Sequence, residues 1–66
     1  MEKLTKREVA ILKLIRQGYE NYEIGQIIFI SIHTVKAHIS AIMRKLNARN
    51  RTNAVYIAMI NHMLDD

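Results

Sequence analysis

The chain has 66 residues, half of them hydrophobic and 24% charged, with a net charge of +4. That length suits one small domain, residues 1–66, burying roughly 60% of its unfolded surface, and the composition is that of a folded domain rather than a disordered tail. The absence of cysteine excludes disulfides, thiolate metal sites and thiol chemistry, and no apolar run approaches the ~18 residues of a membrane span.

Apolar residues recur at helical spacing throughout and no segment alternates as a strand would. This predicts an all-α domain of four helices. The first begins behind Thr5. Thr5-Lys6-Arg7-Glu8 is a capping box, with Leu4 and Val9 in the flanking staple positions. Val9, Leu12 and Ile15 mark its apolar spacing, and Gly18 is placed to end it in the left-handed conformation. The residues before Thr5 lack the basic-then-apolar layout of a secretory leader, so a cytoplasmic setting is expected.

The second helix is short, about Asn21 to Ile28, and Asn21 is a better cap than Glu20. Phe29 and Ile30 follow, and Ser31 caps the next helix. The gap matches the turn of a helix-turn-helix. The third helix spans about Ile32 to Leu46. Its apolar stripe is Val35, Ile39, Ile42 and Leu46. The opposite face carries His33, Ala37, Ser40, Ala41 and Arg44, with Lys36 on its flank. Small residues in the middle of that face let the helix axis approach a surface closely, and the major groove of DNA admits such a helix. Asn47 can end the helix in place of glycine.

The fourth helix runs from about Arg51 or Thr52 to Met63, with Asn50 as its cap. Ile57, Ile60 and Leu64 form one apolar face, and Val55, Tyr56, Met59 and Met63 form a second. So small a chain has little protein with which to cover the second face, which points to a symmetric homodimer.

Charge is unevenly placed. From Ile24 to Leu64 there are five basic residues, Lys36, Arg44, Lys45, Arg49 and Arg51, and no acid. Such a stretch attracts a polyanion. Catalysis has little to work with. Ser31 is a cap, and the acids lie at the two chain ends. His33 and His38 are five apart, off the i, i+4 spacing of a shared metal site. No glycine-rich loop cradles a phosphate. A binding module without metal or cofactor is expected, not an enzyme. His38, at the edge of the core stripe, reads either as a boundary histidine bonded to backbone or as a phosphate contact. Tyr19, Tyr22 and Tyr56 fall on different elements and build no stacking platform for single strands.

Five segments carry a resemblance: Leu4-Thr5-x-Arg7-Glu8, Gly18-x-x-Asn21-x-Glu23-Ile24, Ile30-Ser31-x-x-Thr34-Val35-Lys36-x-His38-x-x-x-Ile42, Lys45-Leu46, and Asn50-Arg51-Thr52-x-Ala54-Val55. Together they resemble the LuxR-type helix-turn-helix DNA-binding domain, which is also the effector domain of many response regulators, over about residues 4–63. Sigma-factor promoter-binding domains share the Glu-Ile and Ser-x-x-Thr-Val features but lack those at His38 and Asn50-Arg51-Thr52. The resemblance implies a transcriptional regulator that binds double-stranded DNA as a dimer, with the third helix in the major groove. By position, Lys36, Ala37 and Ser40 then face base edges. Asn21, Ser31, Thr34, Arg49 and Arg51 match phosphate-contacting positions. Tyr22 stands where the family often has lysine, and Arg44 and Lys45 are added from charge alone. Val55, Tyr56, Met59 and Met63 fall on the family's usual dimer helix. A receiver or sensor domain would precede the chain. Gly25 replaces the usual alanine, which costs about 1 kcal/mol in a helix interior and softens the second helix. Glu20 replaces a capping serine or threonine. The competing function is a protein interaction module built on the apolar fourth helix.

Overall fold

The computed structural model describes residues 2–65, so Met1 and Asp66, which entered the leader and charge readings, lie outside the described residues. Four helices follow in order: α1 (Lys6–Arg16), α2 (Asn21–Ile28), α3 (Ile32–Leu46) and α4 (Arg51–Ile60). Among the described residues there is no strand. The fold is all-α, as the apolar spacing predicts.

Local chemistry sets the boundaries. The Thr5 hydroxyl accepts from the Glu8 amide at 3.1 Å, and the Glu8 carboxylate accepts from the Thr5 amide at 2.9 Å. Ser31 caps α3 through the Thr34 amide at 3.1 Å, and Asn50 caps α4 through the Asn53 amide at 2.7 Å. All four helices stop on a left-handed residue: Gly18, Phe29, Asn47 and His62. After each, the chain folds back so that a later amide reaches a carbonyl of the last turn, as Ala48 does to Met43 at 2.9 Å and Met63 to Ala58 at 2.8 Å.

Three expectations are corrected. Asn21 is the first residue of α2, not its cap; Glu20 holds that place, and its amide donates to the Glu23 carboxylate at 2.8 Å. The Asn21 carboxamide is engaged elsewhere, by Arg51. Helix α4 ends at Ile60, three residues short of Met63. The Asn61 side chain donates to the Ile57 carbonyl at 2.8 Å and His62 turns left-handed, which folds Leu64 back into the core. In consequence Ile60 is exposed rather than part of the inner face, whose buried members are Ala54 and Ala58.

The core joins Ile11 and Leu12 of α1, Ile24 of α2, Val35, Ile42 and Leu46 of α3, and Ala54 and Ala58 of α4, with Leu4 and Leu64 closing its ends. Helix α2 packs on α3, while α1 and α4 pack on each other and on α3. Gly25 sits where α2 meets the turn. A Cβ there would lie 2.7 Å from the Ile30 carbonyl oxygen, so the turn approaches closer than alanine permits. Helices α2 and α3 turn through 107° across Phe29–Ser31, within the range of a helix-turn-helix. No single helix is long and apolar enough to cross a membrane.

Candidate nucleic-acid interface

Helix α3 buries Val35, Ile42 and Leu46, and Ile39 is half-buried beside them. At about 100° per residue, this inner stripe turns the opposite side of the helix outward. There His33, Lys36, Ala37, Ser40 and Arg44 are exposed and Ala41 is half-buried. None of the polar side chains there makes a hydrogen bond or ion pair within the described residues. Neither α3 nor α4 contains a carboxylate. The face therefore carries two free cations, Lys36 and Arg44, around a floor of small side chains, with no acid on its own helix to neutralise them.

The N-terminus of α3 adds polar groups. Ser31 and Thr34 are exposed, their hydroxyls are 3.0 Å apart, and one of the two oxygens already accepts the Thr34 amide. The positive end of the helix dipole lies at the same place. The His38 side chain is half-buried and makes no hydrogen bond among the described residues, so the backbone-bonded boundary arrangement is not formed there.

A second cluster joins α2 to α4. Arg51 is half-buried, and its Nη1 donates to Asn21 Oδ1 at 2.6 Å while Nη2 donates to the Tyr19 carbonyl at 3.3 Å. The structure thus couples two residues that the sequence offers as separate contacts. Beside the fork lies an open hollow of about 260 Å³ lined by Ile15, Gly18, Tyr19, Glu20, Arg51 and Thr52. Tyr22 and Arg49 are exposed nearby along the chain, and the Arg49 amide donates to Asn53 Oδ1 at 2.9 Å.

Lys45 is placed differently from the other cations. Its ammonium lies 2.8 and 3.1 Å from the two Glu8 oxygens, with the Lys45 side chain 15% exposed and Glu8 almost wholly buried. Burial alone would raise the Glu8 carboxyl. The hydrogen bond from Lys45, that from the Thr5 amide and the Lys45 charge outweigh it, and together they hold Glu8 below its ordinary value. This pair ties α1 to α3 and occupies the Lys45 ammonium.

Exposed apolar side chains form the third feature. Tyr56, Met59 and Ile60 are exposed on α4, at i, i+3 and i+4. Val55 and Met63, assigned to this face by spacing, are half-buried against the core instead. Ile60 takes their place because α4 stops before a further turn can bury it. Around the turn, Tyr22, Ile27 and Ile32 are exposed, and Phe29 is 92% exposed at a left-handed position. Sequence spacing passes over Phe29. Its one signal is its place at the end of α2, where a residue of this type must leave the helix without covering itself. Among the described residues no three histidine, aspartate or glutamate side chains gather into a metal cluster. His62 instead meets Asp65 at 2.9 Å on the surface.

Residues 2–58 match the family described as bacterial regulatory proteins, luxR family. The chain is 50% identical over 64 residues to the transcriptional regulatory protein LiaR of Bacillus subtilis, covering 97% of the chain and 30% of that protein. It is 46% identical over 63 residues to the response regulator protein VraR of Staphylococcus aureus, covering 96% and 30%. It is 45% identical over 62 residues to the oxygen regulatory protein NreC of Staphylococcus carnosus, covering 94% and 29%. The chain thus spans about 30% of the length of the curated relatives it matches.

Proposed function

The chain belongs to the luxR family of bacterial regulatory proteins, and we propose that it is a sequence-specific module for double-stranded DNA, working as a homodimer with α3 in the major groove. The observation that carries this reading is the outward face of α3. Lys36, Ala37, Ser40 and Arg44 are exposed there, their side chains without polar partners among the described residues, on a helix set at 107° to α2 and free of acid. Lys36 reads guanine, Ala37 approaches a thymine methyl, and Ser40 accepts several bases. Ser31, Thr34, Asn21, Tyr22, His38, Arg44 and Arg49 hold the backbone, with Arg51 beside Asn21. Lys45 is left out of this set, because Glu8 already holds its ammonium.

The exposed Tyr56, Met59 and Ile60 supply the dimer contact, with the half-buried Val55 and Met63 at its edge. Two recognition helices related by that contact suit half-sites about one helical turn apart, roughly 10 base pairs. The reading places the module in the bacterial cytoplasm or nucleoid, next to a receiver or sensor domain of the kind implied by response regulators such as VraR.

The test is selection from a random duplex library at near-physiological salt. Enrichment of a motif with two related half-sites is the expected result. Binding without a motif would overturn base reading by Lys36, Ala37 and Ser40. No binding at all would favour the second reading, a protein interaction module built on the exposed apolar face of α4. A Met59→Lys substitution separates the two. On the DNA reading it abolishes dimers and tight site binding while weak binding to any duplex survives. On the interaction reading only capture of a protein partner is lost.

A further inference from the structure

Arg51 opens α4 and yet reaches the first turn of α2. Helix α2 packs on α3, so the Arg51 fork is a polar tie that connects the start of α2 to α4 directly. A guanidinium donates and never accepts. The Asn21 atom 2.6 Å from it is therefore the carboxamide oxygen, and the two N–H groups of Nδ2 are left at the other end of the amide. Those N–H groups meet no acceptor among the described residues. Left to itself, an asparagine presents either end of its amide to a visitor. Here one end is taken. At the same helix end, the Glu20 amide is already held by Glu23, which leaves the Asn21 amide as a side-chain donor ready for an anion.

We propose that Arg51 is a positioning residue: it holds Asn21 so that Nδ2 is presented as a hydrogen-bond donor to a DNA phosphate. The inference rests on the DNA-binding reading above and assigns Arg51 a role other than a simple positive charge. Two consequences separate the roles. A point charge is replaceable by lysine, whereas a fork that spans Asn21 and the Tyr19 carbonyl is not. An effect transmitted through Asn21 also disappears once Asn21 has been removed.

The experiment uses the whole chain and a fluorescent duplex of mixed sequence, since phosphate contacts do not depend on sequence. Asn21→Ala and Arg51→Lys are each expected to weaken binding about ten- to a hundredfold, the size of one lost hydrogen bond to a charged group. The double variant is expected to bind no more weakly than the weaker single. In the free chain, the Asn21 side-chain amide resonances are expected to move in Arg51→Lys. Asn21→Asp strengthens the tie to Arg51 but turns an acid toward phosphate. It is expected to bind much more weakly while melting no lower than the parent, a readout that does not depend on Arg51 variants folding. Parental binding by Arg51→Lys, losses that multiply in the double variant, or unmoved Asn21 resonances would each overturn the proposal. If the parent binds no duplex, the DNA reading fails, and the resonances alone decide whether Arg51 orients Asn21.

Discussion

Arg44 and Lys45 are adjacent on α3 and carry the same charge, yet they belong to different parts of the molecule. Arg44 stands exposed on the outward face with no partner for its guanidinium among the described residues, and Lys45 is folded onto the buried carboxylate of Glu8. One step along a helix rotates a side chain by about 100°. That rotation separates a cation available to a ligand from one that holds the fold together. Counting charges along the sequence therefore overstates the free positive surface of this domain.

The largest expected effect breaks the pair on the inner side. Lys45→Ala leaves a carboxylate that is 4% exposed without its ammonium. Removing one member of a buried pair costs about 3 kcal/mol or more, against a total stability of about 3–10 kcal/mol for a domain of this length. Arg44→Ala is expected to change stability by less than about 0.5 kcal/mol and to lower the slope of log affinity against log salt by about one. Urea unfolding and salt titration of both variants check the contrast. Equal stabilities would erase it.

Next in size is Lys36→Ala. On a selected site it is expected to lose about 1–3 kcal/mol of binding and to relax discrimination at one position, with unfolding unchanged. Arg44→Ala is expected to weaken selected and unselected duplexes alike. Equal losses for Lys36→Ala on both duplexes would move Lys36 from the base-reading residues to the phosphate contacts.

Most of the fold was legible in the sequence because its boundaries are local. Thr5 with Glu8, Ser31 with Thr34, and Asn50 with Asn53 each close a cap within three residues, and those caps lie where the residue types place them. The outward face of α3 was legible for the same reason, since helical rotation fixes it once Val35, Ile42 and Leu46 are buried. What escaped was long-range. Glu8 and Lys45 are 37 positions apart, and Asn21 and Arg51 are 30 apart. Nothing in spacing shows that such residues meet. Phosphate contact by position and engagement inside the protein look alike in one dimension. The end of α4 escaped because apolar periodicity continues to Met63, while the left-handed turn at His62 uses a residue with no strong preference for ending a helix.

Gly25 tests the inner side of α3 by shape rather than charge. A Cβ added at Gly25 would lie 3.6 Å from Val35 Cγ2 and 2.7 Å from the Ile30 carbonyl oxygen. Helix propensity alone makes Gly25→Ala stabilising by about 1 kcal/mol. Overpacking against a backbone oxygen costs about 1–3 kcal/mol. The variant is expected to be destabilised on balance, and thermal unfolding gives the sign directly. A higher melting temperature would show that the turn yields without loss and that glycine here only softens α2.

The smallest effect is the titration of Glu8, and it separates inner from outer most cleanly. In the folded chain the Glu8 carboxyl lies below its ordinary value, and in the unfolded chain it titrates near about 4.3. Between the two, the unfolded state binds the proton more strongly. The contribution is complete above about pH 4.3 and is lost as pH falls through the lower, folded value. Lys36→Ala and Arg44→Ala remove charges of the same sign from the outward face and are expected to leave this acid limb unchanged. Lys45→Met is expected to reverse it. Without the ammonium, burial dominates, the folded carboxyl rises above its unfolded value, and acid then favours the folded state. Urea midpoints measured across pH 3 to 6 show the sign. An acid limb that keeps its direction in Lys45→Met would mean that the Thr5 amide, not Lys45, holds the Glu8 charge.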